Sequence, residues 1–327
     1  MAVKDLLIMM ASLAASPGAW SPVYDLAGEG RIAVWDSGNS RAFIGGDNGI
    51  RYTTDQGATF ITPSVGVTTG DFGAMVGGYV MVTGNQTKAV YTSFSGNVYA
   101  ELLYTNPNAI MERAIGGVDN GLVHFLSNPN LGMARVDPAN NTVTDITATF
   151  QAVMNSSTVD CNGGYLPQQG VTVIGGRNGQ YVISTDDNLT FSLLDMSIAT
   201  VAGPMTAVVE TSAGRCIAVV GERVYYSDDV TNSSSWTEGQ DLSVIPGVTW
   251  GEGNIIASST DSDITLISGR QSGAEAIVVS TDNGSTWALD TSSFTVPSTE
   301  FISQMCYAGN DTFFALTNAN KLYIRSF

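Results

Sequence analysis

The stretch STDNGSTW, residues 280–287, decides the fold. It follows EAIVV, a short apolar run of the kind that forms a buried strand. Asp282 can accept hydrogen bonds from the backbone N–H groups just ahead of it and so lock a turn. Gly284 takes a positive φ without a Cβ clash. Ser280 and Thr286 offer hydroxyls to the local backbone. Trp287 opens the next strand and carries the largest apolar area of the segment. VVSTDNGSTWALD is therefore predicted as strand, hairpin, strand.

The same pattern recurs along the chain. TTDQGATF, 53–60, repeats Asp55, Gly57 and Phe60 at the same spacing. STDDNLTF, 184–191, keeps Asp186 and Phe191 and puts Asn188 in the glycine slot, asparagine being the next most tolerant of positive φ. YSDDVTNSSSW, 226–236, is a longer copy with Asp229 and Trp236. TSFSGNVY, 92–99, carries Phe94 in the aspartate slot, and RVDPANNTV, 135–143, is the poorest copy. The markers fall at 55, 94, 137, 186, 229 and 282, with gaps of 39–53 residues, the length of a four-stranded unit. A second repeat agrees: FIGGDNGIRYTTD at 43–55 parallels VIGGRNGQYVISTD at 173–186, 130 residues later.

A further step beyond 282 lands near 325, and the chain has 327 residues. The missing half unit is expected from the N-terminus. There SPGAWSPV, 16–23, places Gly18 and Trp20 much as Gly284 and Trp287 are placed. A ring of sheets needs such closure, because an open last sheet would expose a strand edge. The expected fold is all-β: a seven-bladed β-propeller over residues 19–327, closed by the N-terminal strand and preceded by an apolar arm, 1–18, with a short helix.

These segments resemble the Asp-box, or bacterial neuraminidase repeat, of sialidase-like β-propellers. The full motif fits at 53–60 and 280–287, with one change at 184–191, and loosely at 92–99 and 226–236. The resemblance implies that the box is a scaffold element outside the active centre, so Asp55, Asp186, Asp229 and Asp282 are taken as turn-locking residues. For a sialidase it also implies three arginines gripping a carboxylate, an Arg-Ile-Pro segment, a Tyr/Glu nucleophilic pair and an acidic Asp. GRIAV, 30–34, offers Arg31 and Ile32 but has Ala33 where the proline belongs. Nothing in the spacing of Arg31, Arg223 and Arg270 requires them to converge. The expectation is a chain that is not an enzyme.

Other chemistry is equally thin. The adjacent pairs Asp186-Asp187 and Asp228-Asp229 point to opposite faces if extended, so they are taken as turn residues. Asp261-Ser262-Asp263 lacks the glycine and the later glutamate of a calcium loop. His124 is the only histidine and stands between Val123 and Phe125, a structural setting. GGxNG at 45–49 and 175–179 recurs with the blade period and is a turn rather than a phosphate cradle. Cys161, Cys216 and Cys306 form no CxxC; buried thiols are expected, with one disulfide between neighbouring blades as the alternative. No metal or cofactor is expected.

Charge narrows the partners. With 13 Lys+Arg against 30 Asp+Glu the chain carries −17, which repels a polyanion and argues against nucleic acid. Only 13% of residues are charged, leaving a neutral hydroxyl and amide surface of the kind found on secreted or particle-bound proteins.

The arm MAVKDLLIMMASLAA differs from everything after it. Val3, Leu6, Leu7, Ile8, Met9, Met10 and Leu13 cover nearly all sides of a helix that Ser16-Pro17-Gly18 stops. The apolar run is too short to span a membrane, and Asp5 beside Lys4 is a poor start for a signal peptide. A helix apolar all round must be surrounded. An uncleaved arm docking into another protein subunit is expected; a self-packed helix and a signal peptide are the alternatives. The expected function is a structural or interaction module of a large assembly, a phage or virus particle (tail, nozzle, fibre-base or capsid-surface protein), at the particle surface or outside the cell. A glycan or receptor would meet the propeller loops, with contact loops around 104–114, 150–170 and 237–275. The alternative is a secreted propeller that binds or cleaves carbohydrate, with Trp35, Trp250 or Tyr165 stacking on sugars.

Overall fold

The computed structural model describes residues 19–25, 30–46, 49–62, 72–84, 88–93, 98–103, 109–127, 130–154, 159–198, 201–246, 248–250, 255–271, 274–291, 296, 300–319 and 321–327. The arm, with Val3, Leu6, Leu7, Ile8, Met9, Met10 and Leu13, lies outside the described residues, as do 94–97 of the degenerate fifth box.

The fold is an all-β propeller. Among the described residues the strands form seven antiparallel sheets, numbered here in chain order. Sheet 1 runs Gly30–Asp36, Arg41–Gly46, Gly49–Thr53. Sheet 2 runs Phe72–Val76, Tyr79–Gly84, Lys88–Ser93, Val98–Leu103. Sheet 3 runs Ala109–Ile115, Gly121–Ser127, Asn130–Asp137, Thr142–Asp145. Sheet 4 runs Val159–Leu166, Val171–Gly176, Gln180–Ser184, Ser192–Asp195. Sheet 5 runs Met205–Glu210, Cys216–Val220, Arg223–Ser227, Thr237–Asp241. Sheet 6 pairs Val248–Thr249 and Ile256–Ser258 with Thr265–Gln271, followed by Ala274–Ser280 and Ala288–Leu289. Sheet 7 holds Ile302–Tyr307, Thr312–Thr317 and Lys321–Ser326. Its outer neighbour is Ser21–Asp25, with Ser21 opposite Ile324 and Asp25 opposite Lys321.

Burial falls from the second strand to the fourth in sheets 4 and 5. Second strands such as Val171–Gly176, Cys216–Val220 and Thr312–Thr317 are buried at every residue. A strand covered on both faces reads as a near-continuous apolar run, as CIAVV does; VTVIGG and TFFALT are apolar apart from the buried Thr172, Thr312 and Thr317. The fourth strands Thr142–Asp145 and Ser192–Asp195 are mostly exposed. The core is divided among the seams. Leu166, Val173 and Tyr181 meet Cys216, Tyr225 and Trp236 between sheets 4 and 5. Ala207 and Ile217 meet Ile267, Val278 and Trp287 between sheets 5 and 6. Ala42 and Ile44 meet Phe314 and Leu316 between sheets 7 and 1.

Two features depart from the sequence expectation. The helix Thr147–Val153 lies in a stretch where none is anticipated. Its seven residues are too few for a 3.6-residue period to show, and it is held by tertiary packing, with Phe150 buried edge-on against Phe191 at 5.6 Å. The stretches 104–114, 150–170 and 237–275, expected as contact loops, instead hold most of Ala109–Ile115, the first strand of sheet 4, the fourth strand of sheet 5, and Val248–Thr249, Ile256–Ser258 and Thr265–Gln271 of sheet 6.

Candidate functional site

In an antiparallel meander the first-to-second and third-to-fourth connections lie at one end, and the remaining connections at the other. The Asp-boxes at 53–60, 184–191 and 280–287 follow third strands, so they share one face of the propeller, the box face. The same set of side-chain hydrogen bonds recurs in all three. The hydroxyls of Thr53, Ser184 and Ser280 donate to Oδ1 of Asp55, Asp186 and Asp282 at 2.7, 2.9 and 2.8 Å. The same hydroxyl oxygens accept the N–H of Gly57, Asn188 and Gly284, each at 2.9 Å. The aspartates also accept the N–H and hydroxyl of Thr59, Thr190 and Thr286. Burial alone would raise the three carboxyl pKa values; the hydrogen bonds outweigh it and hold them below the ordinary value. Two successive residues turn left-handed in each box: Gln56 and Gly57, Asp187 and Asn188, Asn283 and Gly284.

The box also reaches beyond its own sheet. A Cβ on Gly57 would lie 2.3 Å from Ile324 Cδ1 of sheet 7, and one on Gly284 would lie 2.3 Å from Ile217 Cδ1 of sheet 5. At the matching position Asn188 donates its amide to the backbone oxygen of Asn120 in sheet 3, at 2.6 Å. Asp187 Oδ1 accepts the backbone N–H of Val118, Asp119 and Asn120 at 3.1–3.2 Å. The next seam is fastened by Glu210, which accepts the N–H of Gln168 at 2.7 Å and of Gln169 at 3.0 Å; burial pushes its pKa up against these bonds. The sequence identifies Asp187 only as a turn residue and passes over Glu210. The signal available for the first is a short polar residue, before the glycine slot, that tolerates positive φ.

The remaining marker residues are packed. Trp287 and Trp236 are buried, with indole N–H groups bonded to Gly284 O and to the Tyr181 hydroxyl. Asp229 does not repeat the box network and caps Thr231 instead. Phe191 is buried and Phe60 half-buried. Trp20 is buried and donates to Asp290 Oδ2 at 3.0 Å. Of the aromatics considered for sugars, Trp35 packs edge-on against Tyr307 at 5.5 Å and Trp250 donates to Leu242 O. Half-buried Tyr165 stands near Asp187, Glu210 and Asp119.

Of the arginines considered for a sialidase-type grip, Arg223 is engaged by Glu238 and Asp241 at the outer strand of sheet 5. The side chains of Arg31 and Arg270 are outside the description. Asp261 accepts the Tyr307 hydroxyl and Asp263 the Asn283 amide, so the Asp-Ser-Asp loop is tied to its neighbours. Asp228 pairs with Arg215. Among the described residues no three His, Cys, Asp or Glu side chains gather as a metal cage, and no helix is long and apolar enough to cross a membrane. Cys216 and Cys306 are buried free thiols, pushed well above the ordinary thiol pKa by burial. Buried His124 sits opposite Arg113 in sheet 3; burial, and then the arginine's charge, lower its pKa to about 4.

The inner strands enclose a cavity of ≈ 180 Å³, to which sheets 2 to 7 contribute. Its polar side chains are Arg113, Asn162, Thr206 and Gln304, and Gly73 and Gly163 supply narrow wall positions. Arg113, Asn162 and Gly163 fall within the stretches expected as contact loops, 104–114 and 150–170, but nothing in the sequence brings them to one cavity, because an inner strand's edge toward the axis has no period or motif of its own.

No family model matches the chain, and no curated protein matches it. Solved structures match in fold. YCF48 bound to D1 peptide is similar at TM-score 0.65 and 17% identity, over 96% of each chain. The β-propeller domain of Myceliophteria thermophila Cps50 (Swd1) is similar at TM-score 0.64 and 12% identity, over 92% of this chain and 98% of that one. The extracellular domain of the putative one-component system BT4673 of B. thetaiotaomicron is similar at TM-score 0.60 and 11% identity, over 94% of this chain and 40% of that one. At these identities the likeness is one of fold.

Proposed function

We propose that this chain is a non-enzymatic, protein-binding module of a larger assembly. In this reading it is a seven-bladed ring closed by Ser21–Asp25 and tethered to another subunit by residues 1–15. The observation that carries the reading is the sheet-to-sheet fastening of the box face by Asp187, Asn188 and Glu210. A platform fixed in this way loses little freedom when a partner docks.

The opposite face supplies a contact. Phe301 is 44% exposed, yet its backbone is held both ways by Asn318: its N–H reaches Asn318 Oδ1 at 2.9 Å and its oxygen accepts Asn318 N–H at 3.1 Å. Its neighbour Glu300 is buried against Lys321 Nζ at 2.6 Å. Aromatic side chains are enriched at interfaces, and a fixed backbone lowers the ordering cost when one docks. YCF48, whose structure was solved with a D1 peptide, is a propeller of similar extent that holds a peptide, which supports the reading by analogy. The assembly favoured is a phage or virus particle, in a tail, nozzle, fibre-base or capsid-surface position. The largely neutral surface of net acidic charge and the 13 lysines and arginines in 327 residues, which leave few tryptic sites, suit an exposed particle protein.

The test is sedimentation of the chain from its native source, with mass spectrometry of the fractions. Travel with a large particle at fixed stoichiometry is expected, lost on deletion of residues 2–15 and weakened by Phe301→Ala, with the melting temperature unchanged. A chain that travels alone would overturn the reading.

A further inference from the structure

We propose that the box face between sheets 3 and 4, around Val118, Asp119, Tyr165 and Leu189, is a docking surface for a segment of another protein in which lysine or arginine alternates with a large apolar residue. The inference rests on the protein-binding reading in taking the occupant to be a polypeptide, and it concerns the face opposite Phe301.

Leu189 has no part in forming its own turn. Ala58 and Ser285 hold the same position in the boxes at 53–60 and 280–287, so the turn does not require a large side chain there. The leucine is 58% exposed. Val118, in the connection between the first two strands of sheet 3, is 50% exposed. One carboxylate fixes both tips: Asp187 Oδ1 accepts the N–H of Val118 at 3.1 Å, and Leu189 follows two residues after Asp187. Exposed apolar residues standing singly are ordinary. Two on adjoining loops, with their backbones fixed to one group, form a patch that loses little freedom when a partner docks.

Tyr165 extends the patch at the end of the first strand of sheet 4, where its half-buried side chain lies beside Gly116 of sheet 3. Burial, and then the charges of Asp187, Glu210 and Asp119, raise its phenol pKa, so three carboxylates stand around it. Arg135 also enters the seam, with its Nε bonded to Asp187 O at 3.3 Å. Asp187 and Glu210 are occupied by backbone N–H groups. Asp119 is different: it is exposed, its N–H alone is bonded to Asp187, and its carboxylate forms no ion pair with a described residue.

Apolar tips beside an unpaired carboxylate are complementary to apolar residues set between positive ones. The long-range field acts in the same direction, since a chain of net charge −17 attracts a basic segment. It also repels a second copy of itself, which makes a different protein the occupant.

The experiment is an amide NMR titration of the isotope-labelled full chain with three end-blocked pentapeptides, Lys-Leu-Lys-Leu-Lys, Glu-Leu-Glu-Leu-Glu and Lys-Ser-Lys-Ser-Lys. Saturable shifts at millimolar concentration are expected for the first peptide at the amides of 117–120, 164–166 and 187–190. The acidic peptide should produce none, and the serine peptide should bind roughly threefold or more weakly. Leu189→Ser and Val118→Ser should each weaken the first peptide roughly threefold, and Asp119→Asn should weaken it and flatten its salt dependence. Phe301→Ala should leave it unchanged. Absence of shifts at these amides overturns the proposal, as do equal shifts with the acidic peptide, equal affinity for the serine peptide, or unchanged affinity when Val118→Ser and Leu189→Ser are combined. If a variant does not fold, the three peptides on the unaltered chain still decide. A chain that sediments with a particle but shows none of these shifts would overturn this surface and leave the assembly reading standing; peptide binding by a chain that travels alone would do the reverse.

Discussion

Asn188 reaches out of its own turn to donate its side-chain amide to the backbone oxygen of Asn120, 2.6 Å away in the preceding sheet. Beside it Asp187 Oδ1 collects the N–H groups of residues 118–120, and Asn120 Nδ2 donates to Asp187 Oδ2 at 2.5 Å. The turn that ends one hairpin therefore fastens the neighbouring one.

Asp187→Ala removes the acceptor of three backbone donors and should cost about 1–3 kcal/mol, read as a lower urea midpoint at unchanged slope. Asp187→Asn should retain part of this, because it keeps one oxygen but turns an amide toward Asn120 Nδ2. Unchanged midpoints in both variants would remove the seam from the account of stability.

Gly284→Ala meets two obstacles, a φ of +77° and Ile217 Cδ1 at 2.3 Å. A loss of about 2–3 kcal/mol is expected from conformational strain plus overpacking. Ile217→Val deletes that Cδ1 atom. In its background the same glycine substitution should cost about 1 kcal/mol less, so a double-mutant cycle must show coupling. Additive costs would mean that the box does not press on the neighbouring sheet.

The lone histidine gives a clean pH experiment. Its folded pKa of about 4 lies below the ordinary 6.5, so the folded state prefers the neutral ring. The corresponding stability is present above 6.5 and is lost as pH falls toward 4, by at most about 3 kcal/mol. His124→Gln should flatten the stability curve across that window. Proton NMR of the imidazole should show no titration between pH 6 and 7; a midpoint near 6.5 would show that His124 is solvated.

Truncation separates the arm from the ring. Removing residues 1–15 leaves Trp20 and Ser21–Asp25 in place, and the thermal melt should not move. Removing residues 1–25 deletes the strand that pairs with Lys321–Ser326 and the indole that bonds Asp290. It should lower the melting temperature and promote aggregation through the exposed edge, measured by differential scanning fluorimetry and light scattering. Equal melts for the two truncations would count against closure by the N-terminal strand.

What the sequence by itself determined is local and periodic. The hairpins at 53–60, 184–191 and 280–287 stand where the aspartate, hydroxyl and glycine spacing puts them, because a turn depends on φ preference and bonds within a few residues. The second strands are legible for a similar reason: a strand covered on both faces is written mostly in apolar residues, with an occasional threonine such as Thr172 or Thr317. Tertiary structure alone decided what those elements meet. Asp187 and Asn120 are 67 residues apart, and Trp20 and Asp290 are 270 apart. No local preference encodes such a pair. The helix Thr147–Val153 forms because Phe150 finds Phe191, and the axial wall gathers Arg113, Asn162 and Gln304 because sheets stacked around an axis bring their first strands together.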